Sequence, residues 1–361
     1  MKGNFEAEIY PGVTEERLGI EVTTRCNMDC SHCFARAGIS EPSSLSLECV
    51  KEIMAEGYEV GYRHLHITGG EPLLWKDLLE ALDYAFDTKY QSVFLNTNGT
   101  LLTEDVSRKL STYKDLSISV SLEGTETLHN YLRGKGSYTQ TVQGIEKALE
   151  AGIELSIFTT ACKSLIPGLP HFVRDLYKKF PGIEDLTLIQ LIPVTNGVFT
   201  LSEELLEPED FLQLLKMVSL LNILGHTTRF LDNPLTYVAS KLLKIMWVLR
   251  SKPLVSEGCL MVMANRDIGL SHSSRDSFGK YELGMIEKVL VSDGYRKAVA
   301  PDEKTCPSCN YVKLCTENGM DRPSELYWDI QSEVLYCQRV LDSVEGHQSS
   351  NIYKKFDKQF C

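Results

Sequence analysis

Six short β-rich runs, each followed by a turn and a helical stretch, constrain this chain more than any other feature. The runs are Leu18–Thr23, His64–Thr68, Ser92–Asn96, Leu116–Ser121, Glu154–Thr160 and Leu186–Ile192. Ile, Val, Leu, Phe and Thr dominate them, as expected of strands buried on both faces. The stretches between follow helical spacing. Leu47, Val50 and Met54 share a face behind a capping Ser46, and Ile145, Ala148 and Leu149 share another ahead of Gly152. Strands alternating with helices predict a parallel sheet with right-handed crossovers. Six such units predict an α/β fold, an open, partial (β/α)6 barrel rather than the closed eight-unit one. Working residues of such barrels gather at the C-terminal ends of the strands.

The chemistry-bearing motifs fall at those ends. After the first strand comes Cys26-Asn-Met-Asp-Cys30-Ser-His-Cys33, with Phe34 behind it. Iron–sulfur clusters are usually held by four thiolates, so three cysteines with no fourth nearby suggest a cluster with one open iron. A structural zinc site wants four protein ligands. After the second strand comes Thr68-Gly69-Gly70-Glu71-Pro72, where glycines permit close backbone approach to a ligand. Asn96 and Asn98 follow the third strand, in a run that is also good turn chemistry. Alternation puts Ser117, Ser119 and Ser121 on one face of the fourth strand, ahead of Glu123. Arg133 lies a little downstream and can pair bidentately with a carboxylate.

This set of motifs resembles the radical S-adenosylmethionine (SAM) superfamily. The resemblance implies that Cys26, Cys30 and Cys33 hold a [4Fe–4S] cluster whose open iron binds SAM. It also implies reductive cleavage of SAM to a 5′-deoxyadenosyl radical that abstracts hydrogen from a substrate. Gly69, Gly70 and Glu71 correspond to the segment that contacts the methionyl amine. Ser121 corresponds to a contact near the ribose and carboxylate, and Phe34 to the aromatic residue after the last cysteine. Asn98 is a candidate to line the same cavity, and Arg133 a candidate partner of the SAM carboxylate. Glu123 stands where Asp is commoner in the family, and a structural turn is the plain reading of it. His32 is expected behind the cluster. At least one of His64 and His66, and both Cys49 and Cys162, are expected to be packed.

A second cysteine group lies far downstream. Cys306, Cys309 and Cys315 are followed 22 residues later by Cys337. This group resembles the SPASM extension of peptide- and protein-modifying radical SAM enzymes, whose full form carries seven cysteines and two auxiliary clusters. Here Cys259 and Gly269 keep the start of that pattern, but Ser271 to Ser274 and Gly319 stand where two cysteines are required. The resemblance therefore implies one auxiliary [4Fe–4S] cluster on Cys306, Cys309, Cys315 and Cys337. Cys259 would be an orphan beside open space, and Cys361 a tail thiol.

The implied organisation is a lead-in over 1–16 and the barrel over 17–200. A helical linker over 201–257 follows, opened by acidic residues from Glu203 to Asp210. A small C-terminal iron–sulfur domain over 258–345 and a polar tail over 346–361 complete it. Net charge is −12, which argues against a nucleic-acid partner. The N-terminus lacks a hydrophobic region and no apolar run is long enough to span a bilayer, so no membrane association is expected. Eleven cysteines without a secretory signal read as metal ligands in a reducing cytoplasm. By resemblance, the substrate is a ribosomally made peptide precursor. The alternatives are a small molecule of sugar or aminocyclitol type, handled by a dehydrogenase or epimerase, and a protein, handled as by the sulfatase maturases. Outside enzymes, an iron–sulfur scaffold or redox sensor remains. Sixteen residues before the barrel are too few for a peptide-binding module, so a separate leader-binding protein or the barrel itself would recognise a peptide. A flavodoxin- or ferredoxin-type donor would supply electrons.

Overall fold

A computed structural model describes residues 17–33, 35, 42–192, 201–231, 235–250, 258–271, 277–299, 309–316 and 336–349. Among these residues, ten strands form one sheet. They are β1 (Arg17–Glu21), β2 (His64–Thr68), β3 (Ser92–Thr97), β4 (Leu116–Ser121), β5 (Leu155–Ala161), β6 (Ile183–Gln190), β7 (Thr228–Leu231), β8 (Leu249–Arg250), β9 (Leu260–Val262) and β10 (Ile268–Gly269). Their order is β10-β9-β1-β2-β3-β4-β5-β6-β7-β8. Every neighbouring pair is parallel except the β9–β10 hairpin. The end strands, β10 and β8, do not pair with each other, so the barrel stays open. The six expected strands sit side by side in chain order.

Two features differ from the sequence expectation. First, the strands are not apolar on both faces. Register puts Leu18, Leu65, Val93, Leu116 and Leu155 on the helix-facing side. The concave side instead carries His66, Phe94, Asn96, Ser119, Ser121, Ser156, Thr160 and Thr187. Thr and Ser in β-rich runs thus mark a polar inner wall, because alternation gives every second residue to that wall. Second, the sheet does not stop at residue 200. β7 and β8 extend it on one side. On the other side β9 pairs with β1, Leu18 opposite Leu260, so the chain beyond residue 258 adds to the barrel sheet itself.

The helices lie between the strands and outside them. They are α1 (Leu47–Glu59), α2 (Leu78–Asp87), α3 (Glu104–Leu110), α4 (Glu126–Arg133), α5 (Ser137–Glu150), α6 (Leu169–Lys179), α7 (Pro208–Ile223), α8 (Leu235–Leu243), α9 (Met285–Leu290), α10 (Asp293–Val299), α11 (Val312–Thr316) and α12 (Tyr336–Ser349). Ser46 caps α1 as expected, accepting from the Cys49 amide. The acidic run before α7 is absorbed by specific partners. Glu204 takes both the amide and the hydroxyl of Ser164, while the Glu207 amide donates to Asp210 in a capping box. Glu207 and Glu209 then hold α12 through Arg339 and Ser343. Among the described residues, no helix is long and apolar enough to cross a membrane.

Candidate active site

The three cysteines Cys26, Cys30 and Cys33 lie on the loop leaving the C-terminal end of β1. All three are free thiols and half-buried. The loop is held from three sides by hydrogen bonds whose donors and acceptors come from successive strand ends. The Gly70 amide donates to the Thr23 carbonyl at 2.7 Å and the Glu71 amide to the Arg25 carbonyl at 2.8 Å. Asn27 donates to Thr100 at 2.8 Å and accepts from Asn98 at 2.9 Å. The Ser31 amide and hydroxyl both reach the Leu132 carbonyl, at 3.0 and 3.1 Å. Thus β2, β3 and the C-terminal end of α4 each grip one part of the cysteine loop.

Gly69 and Gly70 serve this grip. A Cβ on Gly69 would stand 2.5 Å from the Thr23 carbonyl oxygen, and one on Gly70 would stand 2.4 Å from that of Arg25. The close approach that these glycines permit is first of all to the chain's own cysteine loop.

Glu71 is fully buried. One carboxylate oxygen accepts from the Leu73 amide at 3.1 Å and the Thr97 hydroxyl at 2.8 Å, and the other accepts from the Asn98 amide at 2.8 Å. The side chain therefore joins the end of β2 to the end of β3. Its bonded donors are all neutral, and burial pushes its pKa up to about 7 against their pull. Asn98 sits at the centre of the same corner. Its side-chain amide points at Asn27 and, at 3.9 Å, at the Cys26 sulfur.

The sequence predicts a turn residue at Glu123, and the structure gives it a larger part. Its carboxylate is also fully buried, at the end of β4. Arg133 donates to it from Nε at 2.8 Å and from Nη2 at 2.6 Å. The Thr160 amide, at the end of β5, donates at 2.6 Å, and the His32 Nε2 lies 3.4 Å away. Burial pushes this pKa up, but the Arg133 charge and the His32 and Thr160 contacts outweigh it and hold the carboxyl well below the usual range. The third Arg133 nitrogen, Nη1, is 3.9 Å from the Cys30 sulfur. Two of the three guanidinium nitrogens are thus committed to Glu123 and one to the cysteine loop. The sequence signal for this role is Glu123 itself, a long acid ten residues before Arg133.

Ser121 is half-buried at the same strand end, on the concave wall. Below it that wall carries a cross-strand ladder, in which His66 bonds Asn96 and Asn96 bonds Ser119. Phe94 and Phe158 pack beside it at 5.8 Å between ring centroids. His64 is buried and bonded to Ser92, and Cys162 is fully buried. Phe34 lies outside the described residues.

The donor set fits an iron–sulfur cluster. Burial raises the pKa of Cys26, and raises that of Cys30 to about 11, so as bare thiols they stay protonated. Yet Asn98 and Arg133 direct N–H groups at those two sulfurs, which favours their thiolate forms. Among the described residues, no three His, Cys, Asp or Glu side chains meet at a point that suits a single metal ion. Three thiolates on three different irons of a cubane do not need to meet at one point.

The downstream cysteines are elsewhere. Cys309 and Cys315 flank and occupy α11, Cys337 lies on α12, and both helices pack on α8. Cys306 and Cys361 lie outside the described residues. Cys259 precedes β9 and is level with Arg17, so it sits at the N-terminal end of the strands. Its carbonyl accepts from Tyr295, and the neighbouring Gly258 carbonyl accepts from Tyr62. The strand length alone, about 3.3 Å per residue, separates it from the cysteine loop. The space beside Cys259 is therefore not beside the Cys26 loop.

Residues 20–177 match the Radical SAM superfamily. Over 133 residues the chain is 33% identical to the mycofactocin maturase MftC of Mycolicibacterium smegmatis, which covers 37% of this chain and 34% of the relative. Over 161 residues it is 35% identical to an AdoMet-dependent heme synthase of Oleidesulfovibrio alaskensis, covering 44% of this chain and 40% of the relative. The matches thus span well under two thirds of these relatives. Among solved structures, the fold is similar to native anSMEcpe with bound AdoMet, with a TM-score of 0.66 at 16% identity, over 95% of this chain and 99% of that one. It is also similar to Streptococcus suis SuiB bound to precursor peptide SuiA, with a TM-score of 0.64 at 15% identity, over 85% of this chain and 74% of that one. The cysteine loop, the open parallel barrel and these matches agree, and residues 20–177 are similar to the Radical SAM superfamily.

Proposed function

We propose that this protein is a radical SAM enzyme acting on a ribosomally made peptide precursor. The observation that carries the enzymatic part is the cysteine loop. It presents three free thiols at the C-terminal ends of parallel strands, with N–H groups of Asn98 and Arg133 directed at two of the sulfurs. A [4Fe–4S] cluster held by Cys26, Cys30 and Cys33, together with bound SAM, would supply reductive cleavage of SAM and a 5′-deoxyadenosyl radical that takes hydrogen from the substrate. The protein's part is to hold and orient. Gly69, Gly70 and Glu71 set the edge at which the methionyl amine would lie. Ser121 and Asn98 line the same end of the wall, and Arg133 adds positive charge there. The polar ladder of His66, Asn96 and Ser119 forms the floor against which a substrate can be positioned.

The peptide substrate is supported by the similarity to the mycofactocin maturase and by the fold shared with the peptide-bound SuiB. A small-molecule substrate is the second reading, supported by the similarity to the heme synthase. Further parts of the proposal are an auxiliary [4Fe–4S] cluster on Cys306, Cys309, Cys315 and Cys337, a separate leader-binding protein and a flavodoxin- or ferredoxin-type electron donor.

The test has two stages. Iron and sulfide are counted after anaerobic reconstitution of wild type and of the Cys26/Cys30/Cys33→Ala variant. With four irons per cluster, about eight are expected in wild type and about four in the variant. Reduced wild type is then incubated with SAM. Release of 5′-deoxyadenosine supports the enzyme, and its absence from fully loaded protein rejects it in favour of a scaffold or sensor. Consumption of a short peptide encoded beside the gene would separate the two substrate readings.

A further inference from the structure

We propose that Glu123 is a positioning residue that holds the Cys30 side of the cysteine loop through Arg133 and His32, and that the Glu123–Arg133 pair sets the charge felt at the Cys30 sulfur. The proposal rests on the cluster reading above and adds to it a role for two residues outside the cysteine motif.

The geometry is specific. Glu123 and Arg133 are ten residues apart, on the end of β4 and the last turn of α4. Their side chains are 0% and 13% exposed. Glu123 receives two guanidinium N–H groups and the Thr160 amide, with the Thr160 hydroxyl at 3.1 Å as a further donor. The Glu123 amide itself donates to His129 Nδ1, so its backbone is fixed as well as its carboxylate. The remaining Arg133 nitrogen faces Cys30, and the residue before Arg133, Leu132, supplies the carbonyl that takes both donors of Ser31. The same turn of helix therefore holds the loop by its backbone and by a charge. A shorter acid would lose reach. Aspartate lacks one methylene, and from the end of β4 it could not bridge the Thr160 amide and the guanidinium together.

The pair is electrostatically balanced as it stands. Reduction of a cluster adds one negative charge, and a cation beside a ligand sulfur stabilises that reduced state, while an anion opposes it. Glu123 offsets part of the Arg133 charge at Cys30, whose sulfur the Arg133 Nη1 faces directly. Removing either partner leaves the other uncompensated in a buried place, so the two removals act on the cluster with opposite sign.

The test is a redox titration of the anaerobically reconstituted full chain without SAM, followed by the EPR signal that the Cys26/Cys30/Cys33→Ala variant lacks. Glu123→Gln should raise the reduction potential, Arg133→Gln should lower it, and the double variant should return close to wild type. Glu123→Asp keeps the charge and shortens the reach. It should leave the potential in place but lose iron faster to a chelator. If Arg133→Gln does not fold, Glu123→Gln and the double variant still decide the electrostatic part, and Glu123→Asp decides the positioning part. Shifts of the same sign, an unshifted potential in Glu123→Gln, or wild-type iron retention in Glu123→Asp would overturn the proposal. A wild type without any such EPR signal would instead reject the cluster itself.

Discussion

Glu71 and Glu123 occupy equivalent places and are treated in opposite ways. Each is a fully buried carboxylate just past the end of a strand, and each ties its own strand end to the next one. Glu71 joins β2 to β3 through neutral donors, and its pKa rises to about 7. Glu123 joins β4 to β5 with a guanidinium among its donors, and its pKa falls well below the usual range. Burial opposes the charge in both cases, and at Glu123 the Arg133 charge with the His32 and Thr160 contacts reverses the outcome. On the Glu71 side the cysteine loop is held by backbone amides and Asn27. On the Glu123 side it is held by a charge network. A buried charge network is strong when intact and costly when halved, whereas a set of neutral hydrogen bonds fails by degrees.

The largest expected effect breaks the charged side. Arg133→Met leaves Glu123 buried without its cation. It should destabilise the fold by about 3–5 kcal/mol, read from urea denaturation at pH 7. A loss below about 1 kcal/mol would mean that water reaches Glu123 in solution.

The next effect belongs to Glu71 and follows from its titration. Between its ordinary value of 4.5 and about 7, folded Glu71 keeps a proton that the unfolded chain has released. Stability therefore falls as pH rises through that window, and levels off above it. The swing attributable to Glu71 is about 3 kcal/mol. His129 acts in the opposite sense, because burial depresses its pKa to about 4 and the unfolded chain binds the proton first. The difference between wild type and Glu71→Gln cancels the His129 contribution. That difference should move by about 2.5 kcal/mol in favour of the variant from pH 5 to pH 8. Glu123 contributes nothing to this window. Its depressed pKa gives stability that is present above pH 4.5 and fades only as the solution becomes more acid.

Smaller effects sharpen the contrast. At pH 5, Glu71→Gln should cost about 1–2 kcal/mol, because the new amide faces a backbone N–H and leaves it without an acceptor. Smallest of all, Asn27→Ala removes two side-chain hydrogen bonds from the exposed part of the loop. Thermal unfolding should register about 1 kcal/mol or less.

Much of this is legible in the sequence, for reasons that differ by element. The six inner strands are visible because each carries a compact β-branched run followed by a helical period. The cysteine loop is visible because three thiols at that spacing have few other uses. What escapes is set by distant partners. β9 is three residues long and becomes a strand only because β1 offers it an edge. Glu71 reads as a ligand contact because a Gly-Gly-Glu corner after a strand suggests an open edge. In the folded chain its oxygens accept from Leu73, Thr97 and Asn98. Glu123 reads as a turn because nothing local shows that Thr160, His32 and Arg133 converge on it. Asn98, a candidate to line a cavity, also acts as a hub, since its neighbours come from the cysteine loop, from Thr100 and from Thr141.

The pairing of β9 with β1 bears on how the chain is made. β1 is the first of these strands to leave the ribosome, yet one of its two neighbours is encoded more than 200 residues later. Until residues 260–262 emerge, β1 exposes an unpaired backbone edge beside Leu18 and Ile20, the kind of edge that recruits other chains. A fragment cut at residue 250 would keep β1 to β8 but leave that edge bare. Such a fragment should aggregate during synthesis, and appending the β9–β10 hairpin should restore its solubility.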